Sequence, residues 1–288
     1  MSKPHVLMTG LVIGESPRWH DGRLWFANWG AQEIIAVDGT GRSELIACVP
    51  TTIPFSIDWL PDGRLLVVSG PEARLLRLEP DGAFVEHVDT SGLAVSNLNE
   101  IVVDGRGNIY LNGGCEFDPS AREAPGIIAL VTPEGKVRQV ADQIAFPNGM
   151  AVTADNSTLI IAESFAGRLT AFDIAADGSL LNRRVWADVF SDGICIDAEG
   201  AVWGPSWRDG RPGCIRVDEG GQVRQWIETD RACFACMLGG EAGTTLFMLA
   251  ADWHMNDGFA NNLNRLTTGP RTGQLLIADV SVPGAGWP

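Results

Sequence analysis

Phe146-Pro147-Asn148-Gly149-Met150-Ala151-Val152, running on through Asp155-Asn156 to Leu159-Ile160-Ile161-Ala162-Glu163-Ser164, is the stretch whose reading decides the fold. Asn148-Gly149 reads as a turn dipeptide, and the residues after it alternate and β-branch like a strand. Asp155-Asn156 makes a second turn, and Leu159-Ile160-Ile161-Ala162 is apolar throughout, as in a strand covered on both faces. The segment therefore predicts an exposed polar side chain, a strand, a tight turn and a second strand.

The same pattern recurs five more times, around Asp21-Gly22, Asp62-Gly63, Arg106-Gly107, Glu199-Gly200 and Ala242-Gly243. The turns are 41 to 49 residues apart. A second hairpin follows most units, as in Ile34-Ile35-Ala36-Val37 to Leu45-Ile46-Ala47, or Cys214-Ile215-Arg216-Val217 to Val223-Arg224-Gln225-Trp226. Four strands every ~40–50 residues is the period of a propeller blade. The expected fold is all-β: a six-bladed β-propeller of four-stranded antiparallel blades, one domain over 1–288. No segment shows sustained helical periodicity, so no helix is expected. After the sixth unit only about one strand remains, at 273–280. Val6-Leu7-Met8 is predicted to complete that blade, which closes the ring and leaves no open edge.

Composition narrows the function classes. The chain has 288 residues, 45% hydrophobic and 20% charged, with a formal net charge of −15. Such acidity disfavours nucleic acid and anionic membranes as partners. No apolar run approaches the roughly 20 residues of a membrane span. Met1-Ser2-Lys3-Pro4-His5 lacks signal-peptide character, so a cytoplasmic location is expected. Of the six cysteines, Cys233 and Cys236 form a CxxC, but neither a second CxxC nor a His pair completes a zinc pattern. Buried free thiols are expected.

Seven or eight residues before each turn stands one register position of the repeat. Its occupants are Glu15, Phe55, Asn99, Asn148, Asp192 and Ala235. Equivalent positions of a propeller form a ring about its axis. Four of these six carry oxygen donors, with two negative charges among them. That is a hard donor set suited to one divalent cation, Ca²⁺ first, with Mg²⁺, Mn²⁺, Zn²⁺ or Fe²⁺ as alternatives. Asn148 or Asp192 alone would be an ordinary turn residue; coincidence of four donors in one register points to a shared site. His254, after the sixth unit, is a candidate acid or base overhanging the axis, with a surface histidine as the alternative. Trp29, Phe55, Phe146 and Trp207 are candidates to wall a pocket or to fill the core. Nucleophile elbow, phosphate loop and dinucleotide fingerprint are all absent from the sequence.

Gly14-Glu15-Ser16-Pro17, Asn99-Glu100 with Asp104, Phe146-Pro147-Asn148-Gly149-Met150 and Asp192-Gly193-Ile194-Cys195-Ile196-Asp197, in that order, resemble the regucalcin/gluconolactonase/luciferin-regenerating enzyme family. Val282-Pro283-Gly284-Ala285-Gly286-Trp287-Pro288 resembles the tail of many bacterial members. The resemblance implies one catalytic divalent metal on the propeller axis. Glu15, Asn148 and Asp192 match the family's metal ligands, and Asn99 matches the asparagine beside metal and substrate. Sugar-lactonase members commonly carry an arginine two residues before that asparagine. Here the position is Asn97, a substrate-side candidate that turns expectation away from polyhydroxylated lactones. The expected reaction is hydrolysis of a lactone or related cyclic ester by metal-activated water, with Asp192 accepting the proton and Asn99 orienting the carbonyl. Phosphoester or phosphofluoridate hydrolysis, or a non-enzymatic calcium-binding propeller, are the alternatives. Loops 113–126 and 252–272 would shape the pocket.

Overall fold

The structure, a computed structural model, describes residues 3–93, 95–114, 126–254 and 256–288. It contains six four-stranded antiparallel sheets arranged as the blades of a propeller. The chain opens with β1 (His5–Leu11). Blade one follows as β2 (Ile13–His20), β3 (Arg23–Trp29), β4 (Glu33–Val37) and β5 (Ser43–Cys48). Blade two is β6 (Phe55–Trp59), β7 (Leu65–Ser69), β8 (Arg74–Leu78) and β9 (Phe84–Val88). Blade three is β10 (Leu98–Val103), β11 (Ile109–Gly113), β12 (Gly126–Val131) and β13 (Val137–Ile144). Blade four is β14 (Pro147–Val152), β15 (Thr158–Glu163), β16 (Arg168–Ile174) and β17 (Leu180–Ala187). Blade five is β18 (Cys195–Ile196), β19 (Val202–Arg208), β20 (Arg211–Val217) and β21 (Val223–Glu228). Blade six is β22 (Ala232–Gly239), β23 (Thr245–Ala251) and β24 (Gly273–Asp279), completed by β1.

Closure follows the expected register, with Val6 opposite Leu276 and Met8 opposite Leu275. Inner and middle strands read as continuous apolar runs because neighbouring blades cover both of their faces. Leu66, Val67 and Val68 are fully buried, as are Leu159, Ile160 and Ile161. Outer strands are largely open to solvent; β5 and β21 leave Leu45 and Val223 exposed.

Two sequence expectations are corrected. Asn148-Gly149 is no turn: it lies inside β14, and Gly149 is required by close packing. A Cβ there would meet the Ile194 nitrogen at 2.5 Å and the Asp192 oxygen at 2.6 Å. Gly193 likewise lets its backbone pair with Ala235 of the next blade, where a Cβ would sit 2.4 Å from the Ala235 Cβ. Gly149→Ala is therefore expected to destabilise the fold by roughly 1–3 kcal/mol through overpacking, read from the midpoint of denaturant unfolding. A midpoint equal to wild type would refute this account of the glycine.

The second correction is a helix, α1 (Phe259–Thr268), within the segment 252–272. It escaped the sequence because three Asn and two Thr depress its propensity, and because Gly258 at its start supplies no side-chain cap. Tertiary contacts hold it instead. Leu266 is buried against blades one and two. Asn262 Nδ2 donates to the His254 carbonyl at 2.7 Å, and the His254 N–H donates to Asn262 Oδ1 at 2.8 Å. Of loop 113–126, residues 115–125 (Cys115 among them) lie outside the described residues. No helix among the described residues is long and apolar enough to cross a membrane.

At the far ends of the inner strands the C-terminal segment bridges three blades. Val152 N–H donates to the Trp287 carbonyl at 2.6 Å, Ala285 N–H to Ile196 at 3.1 Å and Gly284 N–H to Gly243 at 3.0 Å. The segment 284–287 thus stitches blades four, five and six together. Above it the buried Arg18 crosses the axis, 3.5 Å from both Asp58 and Glu100.

Candidate functional site

Glu15, Asn99 and Asn148 all stand near the start of an innermost strand, and each falls where the pairing register slips. The shifts lie between Glu15 and Arg18, between Leu98 and Ile101, and between Pro147 and Met150. A regular strand would alternate these side chains between blade faces; a bulge re-aims one of them along the strand's end, towards the axis. Asp192 reaches the same place from the loop before β18, its carbonyl accepting the Gly149 N–H at 3.2 Å.

The four side chains share one cavity of about 200 Å³. Asn99 Nδ2 donates to the Pro147 carbonyl at 3.0 Å, which leaves Asn99 Oδ1 buried without a hydrogen-bond partner. Asp192 Oδ1 is buried and unpartnered in the same way. Asn148 Nδ2 donates to Ser164 Oγ at 3.2 Å, and that hydroxyl donates to the Ser191 carbonyl at 3.0 Å. Burial, then the Asp192 and Glu100 carboxylates, push Glu15 well above the usual carboxylate range. Burial and Glu100 push Asp192 up to about 8, against a hydrogen bond from Asn148. Arg18, against Glu100, offsets only part of this and does not line the cavity, so the like charges and orphaned oxygens that converge there form a donor set that a hard cation would relieve. Among the described residues no three His, Cys, Asp or Glu side chains are arranged to hold a metal. A cation here would have to draw on the amide oxygens of Asn99 and Asn148 as well as the two carboxylates.

The walls are aromatic. Trp29, Phe146, Phe190 and Trp207 line the cavity, with Phe165 stacked on Phe146 at 4.3 Å. Trp253 packs edge-on to Phe234 at 5.5 Å and to Phe259 of α1 at 5.6 Å, all three facing the same space. Trp29 Nε1 is spent on the Phe55 carbonyl at 2.6 Å, so it offers the cavity carbon surface. Phe55 itself is fully buried core. No lysine or arginine lines the cavity among the described residues.

Two sequence candidates are not among the lining residues. Asn97 Oδ1 accepts the Gly114 N–H at 3.1 Å. His254 is half exposed, its Nδ1 2.9 Å from Asp257 and its Nε2 3.4 Å from Asp252. Sequence reading missed Ser164, Phe165, Phe190, Phe234, Trp253 and Phe259. Only Ser164 had a signal, sixteen residues beyond Asn148 at the end of the paired strand. A larger cavity, about 570 Å³, lies at the opposite end of the inner strands, between Trp19, Trp59 and Trp287. It lacks a converging set of unpartnered oxygens, so the smaller cavity is the candidate. Asp104 and Asp197 serve structure: Asp104 Oδ1 accepts the N–H groups of Arg106 and Asn108, and Asp197 Oδ1 those of Glu199 and Ala201.

Fold and site together define a six-bladed propeller with a ring of oxygen donors at one end of its axis. The chain belongs to the SMP-30/Gluconolactonase/LRE-like family, whose profile matches residues 13–252. It is 27% identical to diisopropyl-fluorophosphatase of Loligo vulgaris over 203 residues, 61% of this chain. That match spans 65% of the Loligo enzyme, just under two thirds of its length. It is 24% identical to regucalcin of Danio rerio over 269 residues, 83% of each chain. Its fold superposes on a calcium-binding protein, regucalcin from Agrobacterium tumefaciens, with a TM-score of 0.77 at 22% identity, covering 100% of this chain and 96% of that one.

Proposed function

We propose that this chain is a divalent-cation-dependent hydrolase that opens a lactone or a related compact ester at the propeller axis. One observation carries the reading: the carboxylates of Glu15 and Asp192 share one cavity with the amides of Asn99 and Asn148, and Asn99 Oδ1 and Asp192 Oδ1 are left without partners there. Family membership supports it, since the matching profile names gluconolactonase and a relative is a fluorophosphatase. Glu15, Asn148 and Asp192 would hold the cation, Ca²⁺ before Zn²⁺, Mg²⁺, Mn²⁺ or Fe²⁺, and the likeness to a calcium-binding protein, the Agrobacterium regucalcin, supports that order. When bound, the cation supplies Lewis-acid polarisation of a carbonyl and a lowered pKa for water.

Asp192 accepts the proton of the attacking water through Oδ1, whose other partners are absent. Asn99 changes role. With Nδ2 committed to Pro147 it presents an acceptor oxygen, so it suits a further ligand to the cation better than a donor to the substrate carbonyl. The aromatic walls take the apolar part of the substrate and exclude water from around the reacting ester. They offer little to the hydroxyls of a sugar lactone, in keeping with Asn97 at the position of the family's arginine.

The test is a panel spanning a sugar lactone, alkyl and aryl lactones, and a phosphofluoridate, run on protein as purified, after EDTA, and after Ca²⁺ is restored. Hydrolysis of the apolar lactones, lost on chelation and regained with the cation, is the expected result. Undiminished activity after complete removal of metal would overturn the cation's role. Preference for the sugar lactone would overturn the apolar substrate class, and preference for the phosphofluoridate would replace the lactone.

A further inference from the structure

At about 200 Å³ the axial cavity falls short of the roughly 300–1,000 Å³ that enclose a ligand of ordinary drug size. A substrate much larger than a bare ring must therefore extend beyond it. A groove of about 530 Å³ adjoins the cavity on blade five, and Phe190 and Trp207 line both spaces.

The outer strands of blade five build this groove. Ile215 of β20 pairs with Trp226 of β21, and Val217 pairs with Val223. Trp226 and Val223 are three residues apart, so in an unbroken strand they would face opposite sides. A bulge lies between the pairs Arg216–Gln225 and Val217–Val223. It inserts Arg224 and turns Val223 to the face that carries Ile215 and Trp226. Gly213 of β20 makes room for the indole, since a Cβ there would stand 2.7 Å from Trp226 Cζ2. The segment joining blades four and five forms the other wall, with Val189 packed on the same core cluster as Trp226.

Phe190 and Val223 are 38% and 45% exposed, and both line the groove. Apolar surface left open along a groove that adjoins a site marks a place for a ligand. The groove's charged residues, Asp188 and Arg208, are exposed and opposite in sign, which favours an uncharged occupant.

We propose that this groove is a subsite for an extended, uncharged alkyl chain borne by the substrate ring, which narrows the substrate class to lactones with a long apolar substituent. The chain leaves the cavity over the edge shared by Phe190 and Trp207 and lies between Val189 and the face of Ile215, Trp226 and Val223. The nature of the ring rests on the hydrolase reading above; the place of the chain rests on the groove.

Binding and turnover are measured separately on the full-length protein with Ca²⁺ present. 2-Alkylcyclopentanones keep a ring and a carbonyl but contain no ester bond, and their binding is followed by calorimetry from methyl to octyl. Affinity is expected to rise roughly two- to four-fold per methylene, four-fold being the worth of a fully buried CH₂, until the groove is filled. For the matching alkyl lactones kcat/KM should rise in step while kcat holds level. Val223→Asp, a change at an exposed position, should flatten the rise beyond the short members and leave the methyl analogue's affinity unchanged. Affinity independent of chain length, or the same rise in Val223→Asp, would overturn the subsite. A rise in binding with no lactone hydrolysed would leave the subsite standing and overturn the hydrolase instead.

Discussion

Asp192→Asn, assayed at saturating cation, is expected to lower lactone turnover roughly 10²–10⁴-fold, the usual reach of acid–base catalysis. The substitution keeps an oxygen of nearly the same shape beside Glu15 while removing a charge and the basicity. Its cation affinity should fall as well, so the assay is run against cation concentration with occupancy measured in parallel. Activity that stays low with the site full marks Asp192 as the base. Near wild-type turnover at full occupancy would remove it from that role. Asn99→Ala is the contrast, since the side chain offers the cavity an acceptor oxygen. Added cation should restore most of its rate.

The second large effect is one of stability. Glu163 is fully buried beneath blade four, and its carboxylate gathers four donors. Ala145 N–H reaches Oε2 at 2.8 Å, while Arg183 Nη2 and Arg168 Nη2 each stand 3.0 Å from Oε1, which the Thr170 hydroxyl also bonds. Burial alone would raise this carboxyl, but the Ala145 N–H, the Thr170 hydroxyl and Arg183 outweigh it and hold the group below its ordinary range. Glu163→Gln is expected to cost roughly 2–4 kcal/mol by stranding those donors; both arginines are partly exposed, which keeps the figure below that of a sealed ion pair. The sign with pH follows from the depressed pKa. The contribution of Glu163 is present above the unfolded carboxyl's pKa and is lost as pH falls through the folded one. Denaturant midpoints of wild type and variant should therefore differ at pH 7 and converge in acid. A constant difference down to pH 3 would contradict the assignment.

The blades were legible because their signal repeats: six turns with strands on either side outvote any one ambiguous segment. The ring of Glu15, Asn99, Asn148 and Asp192 was legible for the same reason, as a register property of the repeat. What lay outside the repeat was not. Phe190, Trp253 and Phe259 reach the cavity from connecting segments whose path no periodicity predicts, and α1 has too few helix formers to announce itself. Gly149 and Gly193 misled through their neighbours: Asp21-Gly22 and Asp62-Gly63 are turns as read, but at Asn148-Gly149 and Asp192-Gly193 the glycine serves close blade packing instead. His254 was placed by chain proximity, and the carboxylates of Asp252 and Asp257 hold it outside the cavity lining.

Between the aromatic cavity and the larger one at the far end, the axis holds a void of only about 10 Å³, bounded by Ser16, Arg18, Glu100 and Met150 among others. That is room for a single water. The propeller is thus a well with one mouth, not a tunnel. Under the proposed function, substrate and product would pass through the same aromatic collar in opposite directions, and a product that kept the substrate's apolar group would compete there with the next molecule.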